Sequence, residues 1–225
     1  MFQGFSDETI DFLWGIRLNN DRSWFEPRKE EYKQYLYQPM KELSRDVYER
    51  FAGKYDDLEL ICKVSRIYRD ARRLHGRGPY KDHLWFSVAQ PADTCSRPAF
   101  WFELAPEGYS FGLGYWMARA VTMAKLRARM DQRPREMEKL ARLVNRQDTF
   151  TLGGEEFKRR KPAPSKLLEP WYNRKGGLYL EGSRPVDELL YSAELSAYLA
   201  AEFDKLVPLY RYLTTLDGDP DPRDL

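Results

Sequence analysis

Between Lys63 and Lys81 the chain sets Lys63, Arg66, Arg69, Arg72, Arg73, Arg77 and Lys81 against one acid, Asp70. That window carries +6, whereas the whole chain of 225 residues carries only +2, so the excess is local. A guanidinium is a planar fork that donates two parallel hydrogen bonds, which matches a carboxylate or a phosphate. The grouping therefore points to anion binding, with Arg66, Arg69, Arg72 and Lys81 as charged contacts and Asp70 orienting one of the arginines. Tyr80 and Trp24 would add an apolar wall. Asn20 either reaches the ligand or closes a local turn, the commoner use of an asparagine. Gly76 and Gly78 would let backbone approach a bound group closely, and His75 would be a general base beside the arginines, although a loop histidine is more often plain surface. The competing reading is that these arginines form surface ion pairs, each contributing little.

A second basic run, Lys158-Arg159-Arg160-Lys161, lies near Trp171 and Tyr172. Charge interleaved with stacking faces suits nucleic acid, and an acidic protein would meet the same charges. Joined to the window above, this run would make a binding module for either partner, the alternative to a small anionic molecule; taken alone, such a run is more commonly a solvated loop. Other chemistries lack their signatures. His75 and His83 are the only histidines and do not fit a zinc spacing, so no metal and no cofactor are expected. No nucleophile elbow, phosphate-binding loop or dinucleotide fingerprint is present. Cys62 and Cys95 read as inert thiols, because two cysteines in a chain of this size are not a disulfide framework. The sequence specifies neither a reaction nor an oligomeric state.

The elements that must position these groups follow from periodicity. Ser6 can cap a helix whose first turn carries Asp7 and Glu8, with Ile10, Leu13 and Trp14 as its apolar stripe and Asn19-Asn20 as its stop. Pro39 suits the first turn of a helix carrying Met40, Leu43, Val47 and Phe51. The middle reads as strand: 58–68, 84–88, and a hairpin of 99–104 with 109–115 around Ala105-Pro106-Glu107-Gly108. Gly112 and Gly114 leave one face of the last strand bare, and a helix packed against that face is the expectation. Helices resume with Val121, Ala124, Leu126 and Met130, then with Met137, Leu140 and Val144 after Pro134. The clearest helix places Leu195, Leu199, Phe203, Leu206, Tyr210 and Leu213 on one stripe, with Pro208 expected to bend or break it.

These elements predict an α+β fold, a mostly antiparallel central sheet packed by N-terminal, middle and C-terminal helices. They are read as a single domain over 1–216, with 217–225 as a flexible acidic tail. Thirty-three aromatic residues suffice for a sizeable core. The longest apolar run is five residues, 197–201, far short of a membrane span, so no membrane partner is expected. The first residues show no secretory pattern, and a cytoplasmic setting is the default expectation.

Three segments together carry a resemblance: Asn19-Asn20-Asp21-Arg22-Ser23-Trp24-Phe25, Arg66-Ile67-Tyr68-Arg69-Asp70-Ala71-Arg72, and Gly78-Pro79-Tyr80-Lys81. With Pro39-Met40 between them and Gly112-Leu113-Gly114 after them, the chain resembles a widespread microbial family of uncharacterised conserved proteins, a domain of unknown function. The resemblance spans roughly residues 3–215 and implies a single α+β domain and no established activity. It departs at Arg73-Leu74-His75, where the family usually carries Phe-Ser and a charged stretch.

Overall fold

The computed structural model describes residues 1–70, 72, 78–91 and 97–224. Arg73, His75, Gly76, Arg77 and Cys95, all named above, lie outside the described residues. In chain order the helices are α1 (Asp7–Leu18), α2 (Arg22–Phe25), α3 (Lys29–Glu31), α4 (Gln38–Ala52), α5 (Ala120–Gln132), α6 (Pro134–Val144), α7 (Glu169–Tyr172) and α8 (Leu195–Thr214). The strands are β1 (Ile61–Val64), β2 (Leu84–Ala89), β3 (Ala99–Ala105), β4 (Gly108–Tyr115), β5 (Thr151–Gly153) and β6 (Leu178–Pro185). They form a six-stranded antiparallel sheet in the order β1-β2-β3-β4-β6-β5, the expected α+β arrangement. No helix among the described residues is long and apolar enough to cross a membrane. The chain forms two compact units: Met1–Val88 with Trp101–Phe111 and Ser183–Glu202, and Ala89–Phe100 with Gly112–Gly182 and Phe203–Leu225.

In the first unit the helical stripes meet the sheet. Met40, Leu43, Val47 and Phe51 of α4 are fully buried, as their spacing predicts. On α1 the buried face is Thr9, Phe12, Leu13 and Ile16, while Trp14 is 40% exposed. The stripe is thus rotated from the one read off Ile10, Leu13 and Trp14, and a threonine lies at its centre.

Thr9 is buried for a reason that begins at Pro39. Proline has no N–H, so the carbonyl four residues earlier, that of Tyr35, gets no helical donor. The Thr9 hydroxyl donates to this carbonyl at 2.5 Å and accepts the Ser6 N–H at 3.2 Å. Ahead of Pro39 the backbone winds into a π-helical turn, Tyr32–Tyr37, and the Gln38 N–H reaches five residues back to Lys33. Pro39 therefore does not interrupt the chain's path. It sits in the first turn of α4, and α1 supplies the missing hydrogen bond.

In the second unit α8 continues through Pro208 without a break. Its Tyr210 ring packs 4.8 Å from Phe100, and its hydroxyl oxygen accepts the Gln90 N–H at 3.0 Å. At the bare strand face another backbone comes close. A Cβ on Gly112 would lie 1.8 Å from the Leu180 carbonyl of β6, so the glycine admits the adjacent strand's backbone. Arg129 of α5 is buried, with Asp219 at 2.6 Å and the Tyr212 carbonyl at 2.9 Å as partners.

Replacing Thr9 by Val should strand the Tyr35 carbonyl and destabilise the protein by about 1–3 kcal/mol in urea denaturation. In a Pro39→Ala background, which restores a backbone donor, the same replacement should cost markedly less. Equal costs in the two backgrounds would contradict the assignment.

Candidate functional site

The segments containing the expected contacts meet at the backbone of one residue, Tyr80. Tyr68 and Tyr80 form an isolated antiparallel bridge, flanked by Arg69 N–H to Pro79 O at 2.8 Å and Lys81 N–H to Ile67 O at 2.7 Å. The Tyr80 N–H donates to Asn20 Oδ1 at 3.0 Å, and the Asn20 amide returns a bond to the Tyr80 carbonyl at 3.0 Å. The same carbonyl accepts Arg69 Nε at 2.6 Å. Asparagine is suited to this because its amide carries a donor and an acceptor side by side. Gly78 makes the approach possible: a Cβ there would lie 2.1 Å from Asn20 Oδ1. The Tyr80 ring is 1% exposed and stacks on Phe25 at 4.1 Å between ring centres. Asn20 therefore ties the end of α1 to this segment, and Asn19 closes the local turn through Gly15.

Arg69 has a carboxylate partner just beyond the basic window. Its Nη2 lies 3.2 Å from Asp82 Oδ1, and Arg17 Nε lies 2.7 Å from Asp82 Oδ2. Arg17 also pairs with Glu107, and His83 Nδ1 lies 3.2 Å from Asp82 Oδ1. Burial raises the Asp82 pKa, but the Arg17 hydrogen bond and further partners outweigh it and hold the carboxyl below its ordinary range. None of Arg17, Asp82 and Glu107 stands out in the sequence, because each is an ordinary charge far from its partner along the chain.

The other expected residues divide. Arg72 is exposed and grips Asp70 with two bonds, Nε to Oδ1 at 3.1 Å and Nη2 to Oδ2 at 2.8 Å. Trp24 lies against Phe12 at 5.6 Å, with the Arg28 guanidinium 4.7 Å from its ring centre. Arg66 is exposed, and its guanidinium has no carboxylate partner among the described residues. Lys81 is half-buried; its ammonium donates to the Arg66 carbonyl and lies 5.8 Å over the Trp85 ring. Burial first, and the neighbouring Arg69 second, push the Lys81 pKa down, with Glu103 opposing them. The structure thus brings Asn20, Arg69, Tyr80 and Lys81 together and turns Arg72 to its own local acid.

The second basic run is partly neutralised. Arg160 lies 3.0 Å from Glu169 and 3.6 Å from Glu156, and the Lys161 ammonium rests 4.4 Å from the Phe157 ring centre. Trp171 is buried and presents no face for base stacking. Among the described residues no three His, Cys, Asp or Glu side chains group as a metal site requires.

Compared with known proteins, residues 8–212 match the model of a family described as "Conserved hypothetical protein (DUF2461)". No curated protein matches the chain.

Because the folded Asp82 pKa is depressed, its contribution to stability is present above the ordinary carboxylate range and is lost as pH falls through the lower folded value. Urea midpoints measured downward from about pH 4 should therefore drop in the native protein. Asp82→Asn should cost about 1–3 kcal/mol near neutral pH by leaving Arg17 and Arg69 without that charge, and should flatten the acid slope. An unchanged slope in the variant would remove Asp82 from this role.

Proposed function

The chain belongs to the conserved hypothetical protein family DUF2461, a membership that names no ligand, and from its geometry we propose that it binds a small molecule through a phosphate or carboxylate. Lys81 and Arg66 are the contacting cations. Asn20, Arg69 and Tyr80 position them, and the Trp85 ring beneath the Lys81 ammonium forms an adjoining apolar surface. Arg72 is occupied by Asp70, and Trp24 by Phe12 and Arg28, so neither is assigned a contact.

One observation carries the reading. The Lys81 ammonium is half-buried, and its hydrogen-bond acceptor is a neutral carbonyl, that of Arg66, not a carboxylate. A cation partly withdrawn from water, with Glu103 attracting it through space but a neutral carbonyl as its hydrogen-bond acceptor, is costly to hold. An anion entering beside it recovers that cost and gains a charge-assisted bond. Arg66, tethered at the same peptide, adds a planar fork to the same ligand. Partial burial also predicts weak screening, so binding should survive salt that would strip a protein from a nucleic-acid backbone.

Thermal unfolding with inorganic phosphate or citrate tests the proposal. Ligands that bind only the folded form raise Tm, and for a chain of this length each kcal/mol corresponds to about 2–4 °C. The native protein should show such a rise, and it should persist in moderate salt. Lys81→Met keeps most of the aliphatic stem and should abolish the rise, and Arg66→Gln should reduce it. Equal rises in native and Lys81→Met proteins, or none with either anion, would refute the assignment.

A further inference from the structure

Between α4 and the edge strand β1 lies a cavity of about 450 Å³ that shares no residue with the Arg66–Lys81 site. Its size is in the range of small-molecule sites, and it is built on a helix and a strand, not on loops. Tyr37, Tyr48, Val64 and Cys62 supply the apolar part of the lining. The Tyr48 hydroxyl is fixed by donation to the Leu60 carbonyl at 2.8 Å, which holds its ring in place. The Cys62 thiol hydrogen-bonds the Ser44 carbonyl at 3.7 Å, and burial pushes its pKa up to about 11. At neutral pH it is therefore a protonated wall atom and not a nucleophile.

The polar part is cationic. Lys41 and Arg45 stand four residues apart on α4, neighbours on one helical face where like charges repel. The Lys41 ammonium lies 5.7 Å from the Tyr37 ring centre and has no carboxylate partner among the described residues. Arg45 meets one acid, Asp46, through Nε at 3.6 Å, and the other Asp46 oxygen accepts the Phe2 N–H at 2.7 Å. The two terminal nitrogens of Arg45 thus remain available as a fork. Glu42, the acid in the lining, accepts a bond from the Gln38 amide at 2.9 Å.

We infer that this cavity binds a small aryl carboxylate or aryl phosphate, its acid group held between Lys41 and Arg45 and its ring set against Tyr37 and Tyr48. An anion placed there relieves the repulsion of the two cations, and Arg45 meets it with both terminal nitrogens. The ring replaces water on the apolar wall. Ring and charge are both required: inorganic phosphate lacks the apolar contact, and benzyl alcohol lacks the acid.

Isothermal titration calorimetry with phenyl phosphate and with benzoate tests this directly. Saturable binding of at least one of the two at this site is expected, with inorganic phosphate and benzyl alcohol both weaker there. Arg45→Gln and Lys41→Gln, both at exposed positions that leave the fold intact by circular dichroism, should each weaken binding by at least about tenfold. Lys81→Met should leave it unchanged, which separates this site from the one proposed above. Absence of saturable binding by both aryl acids, undiminished affinity in Arg45→Gln, or loss of binding in Lys81→Met would overturn the inference.

Discussion

A buried residue's backbone N–H and C=O must each find a partner, and at Tyr80 both partners are side chains. Asn20 serves its N–H and its carbonyl together, and Arg69 takes the carbonyl's second lone pair. Leaving either end unmet beneath the Phe25–Tyr80 stack would cost about 1–3 kcal/mol. This requirement explains three residue choices at once. An amide side chain is needed at position 20, a hydrogen at position 78 where any Cβ would strike that amide, and a fork at position 69 that reaches Tyr80 and Asp82 together. With Tyr80 turned inward, the chain alternates and Lys81 is carried to the boundary with solvent.

The same requirement sorts the charges. A run of like-charged residues resembles a binding surface when it is counted along the chain, but neutralisation occurs in space. The window ends one residue short of Asp82, the acid that engages Arg69. Inside the window, Asp70 takes Arg72, two residues away. Of the four expected contacts Arg66, Arg69, Arg72 and Lys81, the two without a carboxylate hydrogen-bond partner among the described residues are Arg66 and Lys81, and Lys81 is the more informative because it is half-buried. Composition located the region. Separating structural cations from available ones needed Arg17, Asp82 and Glu107, whose contacts span 65 and 90 residues and leave no local signal.

Much of the fold was legible because its elements are periodic: the α4 stripe, the hairpin strands β3 and β4, and the six-residue stripe of α8 are all buried where spacing puts them. The departures have a common cause. Pro208 and the Gly112–Gly114 face are backbone features whose local reading is a break or a gap, and each is completed by an element distant in sequence or by continued helical packing; the N–H that Pro39 lacks in its expected first turn is likewise compensated from afar. Thr9 answers Pro39, the β6 backbone fills the glycine face, and α8 runs through Pro208. Likewise the cavity against α4 escaped notice because Lys41 and Arg45 read as part of an ordinary solvated helix face until β1 is laid beside them.

Native-state hydrogen exchange at the Tyr80 amide tests the central constraint most directly. Its acceptor is the Asn20 side chain, so the account predicts slow exchange in the native protein, comparable with the Arg69 and Lys81 amides of the same bridge. In Asn20→Ala the Tyr80 amide should lose that protection while amides in the α4 core keep theirs. A Tyr80 amide that exchanges freely in the native protein, or one equally protected after the substitution, would contradict it.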